Sequence, residues 1–259
     1  MSGNKQAEGV ILQARDRRLL AELTVMRVVD RELTKVVAGF QSTTRANARL
    51  LKLTHAGLLN RFFVGSIAAG RKAIYTQTAK GAAVIGAPFR GITRRYGKTL
   101  VGDLFVAHQT QINEIYATVK HRTLPTGSSF IRSRTFTEPL TEANRLIPDG
   151  YFELQTPGGI RSAFLEVDLG SETLKIWEQK IRSYLQIAVS GEFTRLFRQP
   201  QFRVLVVANS ERRQRSIRAA ITKQTDKIFW LSDLETINRA GFWSAVWLRP
   251  KGGQMLSLL

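Results

Sequence analysis

The sequence predicts a mixed α/β (α+β) fold in two parts, on three observations. Helical periodicity dominates the first 86 residues, where three helical segments precede two short strands. From about residue 99, helices and strands follow in the order α-β-β-β-α-β, with further elements after them. The 259 residues, 43% of them hydrophobic, can bury a sizeable core. We therefore expect an N-terminal domain at 1–86, a basic linker at 87–98 and a C-terminal α/β domain at 99–259.

Residues 15–86 carry the signals of three helices and a hairpin. The predicted helices cover about 15–28, 31–38 and 42–55, with Gly39 ending the second and Ser42 capping the third. Strands are predicted at 58–64 and 73–77, around a turn with two basic residues, and a short helix follows from Thr78. This order is the winged helix-turn-helix pattern, so we expect a DNA-binding domain at 1–86.

The third helix and the turn carry the side chains that we expect to contact DNA. Arg45, Arg49 and Lys52 are spaced i, i+4 and i+7, which places them on one helical face. A recognition helix presents its first turns to base edges, and a wing reaches phosphate. The expected DNA-binding residues are Thr43, Thr44, Arg45, Asn47, Arg49, Lys52, Arg71 and Lys72. Two alternatives remain: a merely solvated basic face, or a winged helix that contacts protein.

The net charge points to an anionic partner. The chain has 39 Lys and Arg against 20 Asp and Glu, a formal charge of +19. Residues 1–126 hold 20 of these basic residues and only 7 acidic ones, whereas residues 127–259 hold 19 and 13. An excess of this size favours nucleic acid, and double-stranded DNA is the partner that we expect.

Several other classes are excluded or disfavoured. The chain has no Cys, which excludes disulfides and thiol catalysis, and only 3 His, which disfavours a histidine-built metal site. No apolar run approaches the ~20 residues of a spanning helix. The first residues lack the apolar segment of a signal peptide, so we expect no membrane partner and a cytoplasmic location.

Acidic residues of the second part indicate a metal site. Strand alternation in 164–168 puts Glu166 and Asp168 on one face, ~6.6 Å apart along the strand. Asp149 enters the preceding strand and is expected to converge with them. Clustered carboxylates raise one another's pKa unless a cation lies among them, so we expect Mg²⁺ or Mn²⁺ held by Asp149 and Glu166. Such an ion activates water against a phosphodiester. The alternative is that Asp149-Gly150 is simple turn chemistry.

Several short motifs together resemble a known family. They are His108 followed by Ile112-Asn113-Glu114, Ile147-Pro148-Asp149-Gly150, Phe164-Leu165-Glu166-Val167-Asp168, Lys180 with Tyr184, and Arg203 followed by Arg213. With these motifs most of the chain resembles plasmid replication-relaxation proteins. A Pro-Asp entering one strand and a Glu in the next resemble the PD-(D/E)XK core, a restriction-endonuclease-like domain. The resemblance implies a role in plasmid or mobile-element replication, relaxation or transfer.

One departure from the nuclease motif leaves the activity open. The motif has Lys two positions after the strand Glu, where this chain has Asp168. Lys175 or Lys180 of the next helix would then supply the ammonium group, and Lys180 shares a helical stripe with Trp177 and Tyr184. The expected catalytic set is Asp149, Glu166, Asp168, Lys180 and, on the helix before the first strand, Glu114.

Two functions follow from this set. One is a Mg²⁺-dependent deoxyribonuclease that cuts or nicks DNA. The other is a non-catalytic DNA-binding factor with a degenerate nuclease fold, acting as a homodimer or as a subunit of a larger nucleoprotein complex.

Overall fold

Helices and strands form a mixed α/β fold, which confirms the predicted fold class. The computed structural model describes residues 10–65, 70–92 and 102–259. Contacts divide the chain into a first unit, Met1–Ala117, and a second unit, Thr118–Leu259. Within the described ranges, no helix has both the length and the apolar character needed to cross a membrane.

The first unit begins with three helices and a two-stranded antiparallel hairpin. Its first elements are α1 (Ala14–Met26), α2 (Arg31–Ala38), α3 (Thr43–His55), β1 (Leu59–Val64), β2 (Lys72–Gln77) and α4 (Ala79–Ala83). The hairpin runs from Leu59 opposite Gln77 to Val64 opposite Lys72. Most of the predicted turn at 66–72 lies outside the described residues.

Local signals explain where these helices begin and end. The Asp30 carboxylate accepts a hydrogen bond from the Leu33 amide at 2.8 Å and so caps α2. Gly39 ends α2 at φ 69°, a left-handed conformation that glycine adopts without strain. The Ser42 side chain caps α3, as predicted. Apolar residues on the inner faces of the helices, such as Leu23 and Leu50, form one buried core.

A long helix, α5 (Asp103–Lys120), completes the first unit rather than opening the second. The Asn113 side chain donates to the carbonyl oxygens of Met26 at 2.9 Å and Val28 at 2.7 Å. Val106 packs in a cluster with Val28 and Ile74. The division between the units therefore falls near the end of α5, and not at the predicted boundary of residue 99. Sequence periodicity cannot show which side of a boundary a helix packs on.

The predicted linker 87–98 is only partly described. Ile92 is buried, and its amide donates to the Thr76 hydroxyl at 2.9 Å, so the described part of this segment folds back on β2. The remaining linker residues, with Arg94, Arg95 and Lys98, lie outside the described residues.

The second unit contains a five-stranded mixed sheet. Its elements are β3 (Ser129–Arg134), β4 (Gly150–Thr156), β5 (Gly159–Asp168), α6 (Leu174–Val189), α7 (Glu192–Phe197), β6 (Arg203–Ala208), α8 (Glu211–Thr222), β7 (Phe229–Asp233) and α9 (Leu234–Ala240). The strand order is β3-β4-β5-β6-β7. Pairing is antiparallel from β3 to β5 and parallel from β5 to β7. Along the chain β3, β4 and β5 are followed by α6, α7 and β6, and the helix that precedes them, α5, packs in the first unit.

One face of the sheet packs on helices and forms the main core of the second unit. Because β5, β6 and β7 are parallel, α6 and α8 connect them as crossovers. Phe164, Trp177, Ile181, Val206 and Ile217 all lie in this core, each fully buried.

Local signals define only some of the remaining elements of the second unit. Thr173 caps α6, with its hydroxyl accepting from the Ile176 amide at 3.3 Å. The sequence patterns predict neither of the short helices α7 and α9. Beyond α9, isolated bridges pair Leu248 with Leu231 and Trp247 with Leu256.

Candidate functional site

The end of β5, the start of β4 and one face of α6 bring together four residues of the expected site. Asp149 immediately precedes β4, and one of its carboxylate oxygens accepts from the Val167 amide on β5 at 2.7 Å. Glu166 and Asp168 alternate with Val167 on β5, so both project toward α6. Lys180 lies on the face of α6 that meets them.

The Glu166 carboxylate has a protein donor on each oxygen. Oε2 accepts from Lys180 Nζ at 2.8 Å, and Oε1 accepts from the Tyr184 hydroxyl at 2.5 Å. Its side chain is only 1% exposed. Burial raises the pKa of Glu166 to about 7, with Lys180 opposing the rise and the Asp149 charge adding to it. The carboxylates of Asp149 and Glu166 are therefore close enough to repel each other.

Lys180 lies between two carboxylates. Its Nζ is 2.8 Å from Glu166 Oε2 and 2.7 Å from Glu172 Oε1. Burial alone would lower the pKa of Lys180, but the charges of Glu166, Glu172 and Asp149 raise it above its ordinary value. The ammonium group is therefore charged at neutral pH. Lys175, the other lysine expected to be able to supply the ammonium group, is exposed on the same helix.

Asp168 has different partners from Glu166. Its carboxylate accepts from Arg213 Nε at 2.9 Å and Nη2 at 2.8 Å, from Trp177 Nε1 at 2.6 Å and from the Gly170 amide at 2.7 Å. Burial acts to raise the pKa of Asp168, but the hydrogen bonds from Arg213, Trp177 and Gly170 outweigh it and hold that pKa below its ordinary value. Asp168 is thus ionised, and its ion pair with Arg213 connects the end of β5 to α8.

Glu172 links the two groups of contacts. One of its side-chain oxygens binds Lys180, and its backbone oxygen accepts from Arg213 Nη2 at 2.5 Å. Sequence reasoning did not assign Glu172, Tyr184 or Arg213 to the site. The spacing of Tyr184, four residues after Lys180, was a usable signal, because residues i and i+4 share a helical face.

Glu114 belongs to another part of the chain. It lies half-buried on α5 in the first unit, whereas Asp149 and Glu166 lie in the second. Its expected catalytic role stays a prediction.

A metal ion at this site would depend on few protein ligands. Within residues 10–65, 70–92 and 102–259, no three or more His, Asp or Glu side chains form a group that could hold a metal. Asp149 and Glu166 are nevertheless oxygen ligands of the kind that Mg²⁺ prefers. Their mutual repulsion in a buried place is a feature that a bound cation would relieve.

The predicted DNA-binding residues of α3 differ in their surroundings. Thr44, Arg45 and Lys52 are exposed. Arg49 is only 13% exposed, because its guanidinium forms an ion pair with the buried Asp16 and donates to the Ile11 carbonyl at 2.8 Å. Arg49 therefore holds α3 against α1, and the helix face does not present three equivalent cations.

The other predicted residues lie at the N-terminal end of α3 and around a groove in the first unit. The Thr43 hydroxyl is 3.2 Å from Lys35 Nζ, which donates to it. Lys72 pairs with Asp30 but remains half-exposed. The groove has a volume of about 590 Å³, and its lining includes the polar or basic residues Asn47, Arg61, Arg71 and Lys72.

Comparison with known proteins identifies the family. The model of the family described as replication-relaxation matches residues 15–198, which contain Asp149, Glu166 and Lys180. No curated protein and no solved structure matches the chain. The match extends over more than half of the sequence, and it agrees with the resemblance carried by the motifs. The chain therefore belongs to the replication-relaxation family.

Proposed function

We propose that this chain is a DNA-binding protein of a plasmid or mobile element that acts in replication, relaxation or transfer in the cytoplasm. The first unit, as a winged helix-turn-helix domain, holds double-stranded DNA. The second unit, as a PD-(D/E)XK domain, cuts or nicks it with Mg²⁺ or Mn²⁺. The family supports the replication theme, and the residues of each unit support the rest of the proposal.

Exposed cations support the DNA-binding part. Arg45 and Lys52 are exposed on α3, and Arg71 is exposed at the start of the second strand of the hairpin. Phosphate contacts from such side chains contribute much of the affinity for DNA and make it depend on salt. Arg49 is left out of this surface because it is paired with Asp16.

A salt titration tests the DNA-binding part. Replacing Arg45 and Lys52 together by Gln should weaken binding to a short labelled duplex. It should also reduce the slope of log K against log salt by about two, because each lost phosphate contact removes about one unit. The matched control is Arg18→Gln with Arg182→Gln, which removes two exposed charges outside α3. Equal slopes for the two double variants would contradict the proposed surface.

The position of Lys180 carries the proposal of DNA cleavage. The nuclease motif requires an Asp, a Glu and a Lys, and the sequence lacks Lys at its usual place. Lys180 reaches Glu166 from α6 at 2.8 Å, and the charge of Asp149 acts on the same pair. These contacts support the proposal that Lys180 takes the place of the motif lysine from a different sequence position.

Each residue of such a cleavage site would have a separate role. Asp149 and Glu166 would hold Mg²⁺, which when bound supplies charge neutralisation and an acidified water. Tyr184 holds the Glu166 carboxylate by donating to Oε1. Lys180 keeps its proton and places a positive charge beside Glu166, where it is able to stabilise negative charge that develops on a phosphodiester.

The non-catalytic factor is the second candidate, favoured by a specific observation. Both Glu166 oxygens already accept hydrogen bonds from protein donors, and Lys180 supplies a cation to the carboxylates. The Glu166 carboxylate therefore has an ion-pair partner and a hydrogen-bond donor on each oxygen without a metal. In that case the second unit would serve as a platform for a homodimer or a larger nucleoprotein complex.

Nicking of supercoiled plasmid separates the two candidates. A nuclease converts supercoiled to open-circular DNA in Mg²⁺ or Mn²⁺, does not do so with a chelator, and loses this activity in Asp149→Asn. Wild-type protein that binds DNA but shows no metal-dependent nicking would establish the non-catalytic factor.

A further inference from the structure

The end of the sheet remote from Glu166 carries a second group of charged residues. Arg161 lies at the start of β5, five positions before Glu166, which is ~16 Å along the strand. Ala163 of β5 pairs with Arg203 of β6, and Leu205 pairs with Trp230 of β7. Because strand residues alternate between faces, Arg161, Arg203 and Trp230 share the face opposite to the α6 and α8 core.

These residues line a cavity of about 360 Å³. Four basic side chains contribute to its lining: Arg161, Arg203, Lys227 and Arg249. No Asp or Glu belongs to the described lining, in contrast to the site around Lys180, where each cation faces a carboxylate. The second unit as a whole holds 21 Lys and Arg against 13 Asp and Glu. Its cations are therefore mostly accompanied by carboxylates, whereas the described lining has four cations and no carboxylate.

Two of the guanidinium groups are fixed in position. The Cζ atoms of Arg203 and Arg249 lie 4.4 Å and 5.0 Å from the centre of the Trp230 ring. Arg203 Nη1 donates to the Leu258 carbonyl at 2.5 Å, and Arg249 Nη2 donates to the Asp226 carbonyl at 3.0 Å. A guanidinium has five N–H donors, so one such bond orients each group and leaves donors for another acceptor.

The cluster is electrostatically unfavourable without a partner. Burial, followed by the charges of Arg161 and Arg249, lowers the pKa of Arg203 to about 10. Arg203 is still a cation at neutral pH, so the repulsion remains in the folded protein. An anion in the cavity would remove it.

One of the residues that line the cavity also carries an unsatisfied donor. Trp230 lines the cavity and is 7% exposed. Its Nε1 is buried and has no hydrogen-bond partner in the part of the chain that the structure describes. A buried indole N–H normally has an acceptor, because its desolvation costs free energy otherwise.

We propose that this cavity, lined by Arg161, Arg203, Arg249 and Trp230, binds a phosphate group. Planar guanidinium forks match the oxygens of phosphate, and Arg retains its charge in a partly buried site. The cavity is larger than a phosphate ion alone, so it has room for the sugar of a nucleotide. This site is separate from Asp149 and Glu166 and does not depend on cleavage there. Its phosphate comes either from a free nucleotide or from a polynucleotide.

Calorimetry with inorganic phosphate tests the site on the full chain. Arg161→Gln and Arg249→Gln are each expected to weaken phosphate binding about tenfold, since each removes charge-assisted hydrogen bonds to the phosphate oxygens. The matched control is Arg195→Gln, an exposed arginine of α7, which should bind phosphate as the wild type does. Heat release reproduced by chloride at equal ionic strength, or equal affinity in all variants, would overturn the proposal.

The source of the phosphate is assigned by a second set of probes. Thymidine monophosphate, a short single strand with a 5′-phosphate and the same strand without it are titrated in parallel. Binding that requires the terminal phosphate assigns the site to a strand end or a mononucleotide. Equal binding of both strands, lost in Arg161→Gln, assigns it to the internal backbone. No Arg161-dependent binding of any probe would contradict the site.

Discussion

Lys180 Nζ lies 2.8 Å from Glu166 Oε2, and the Tyr184 hydroxyl donates to the other oxygen of the same carboxylate at 2.5 Å. This relationship joins β5 to two successive positions on one face of α6. It places a cation beside a carboxylate that is almost fully buried. Because Lys180 provides the positive charge, position 168 does not need a lysine, and Asp168 binds Arg213 there.

Loss of the Lys180 charge should destabilise the second unit. Lys180→Met leaves the buried Glu166 carboxylate without its ion pair, and removing one partner of a buried pair costs about 3 kcal/mol. The control is Lys175→Met, at an exposed position of the same helix, which should change the free energy of unfolding by less than about 0.5 kcal/mol. Unfolding in urea measures the free energy of unfolding of the two variants and of the wild type. Equal effects would show that the Glu166–Lys180 pair does not stabilise the fold.

The contribution of Asp168 should depend on pH in a defined direction. Because its folded-state pKa lies below the ordinary value of 3.8, the stabilisation is present above that value and is lost as pH falls through the folded-state pKa. Arg213→Gln should therefore cost about 3 kcal/mol at neutral pH and progressively less in acid.

The matched control for Arg213 lies on the same helix. Arg215 is 67% exposed and lies 3.8 Å from Glu211, so Arg215→Gln should cost less than about 1 kcal/mol at any pH. Unfolding free energies at neutral and acidic pH give the comparison. A cost for Arg213→Gln that is the same at both pH values would contradict the assignment of Asp168 as its ionised partner.

Arg45 and Arg49 should separate DNA binding from stability, although both lie on α3. Arg49→Gln breaks an ion pair with the buried Asp16 and should lower the free energy of unfolding by about 3 kcal/mol. Arg45→Gln, at an exposed position, should leave stability within about 0.5 kcal/mol and weaken DNA binding. The prediction fails if Arg49→Gln unfolds like the wild type, or if Arg45→Gln binds duplex with unchanged affinity.

Much of the fold could be predicted because its signals are local. Gly39 marked the end of α2 and Ser42 the start of α3, and alternation in 164–168 indicated the strand β5. The side to which α5 packs could not be predicted, because it depends on Asn113 reaching backbone groups more than eighty residues away. The short helices α7 and α9 have too few residues for periodicity to reveal them.

The candidate site was predictable in its residue types and less so in its pairings. Strand alternation placed Glu166 and Asp168 on one face of β5, and helical spacing placed Lys180 and Tyr184 on one face of α6. That Arg213 binds Asp168 depends on where the N-terminal end of α8 docks, and no local pattern encodes it. The Asp16–Arg49 pair was missed for the same reason, since a solvated basic face and a buried ion pair have the same spacing in sequence.

The rate of plasmid nicking by Lys180→Met tests the central claim most directly. With Mg²⁺, the wild type should convert supercoiled plasmid to open circles, and Asp149→Asn serves as the control for a contaminating nuclease. Under conditions where unfolding curves show both variants folded, Lys180→Met should nick at least about a hundredfold more slowly, because a charge that stabilises the transition state is lost. Lys175→Met should nick like the wild type. Nicking by Lys180→Met at the wild-type rate, or no metal-dependent nicking by the wild type, would contradict a cleavage centre built on Asp149, Glu166 and Lys180.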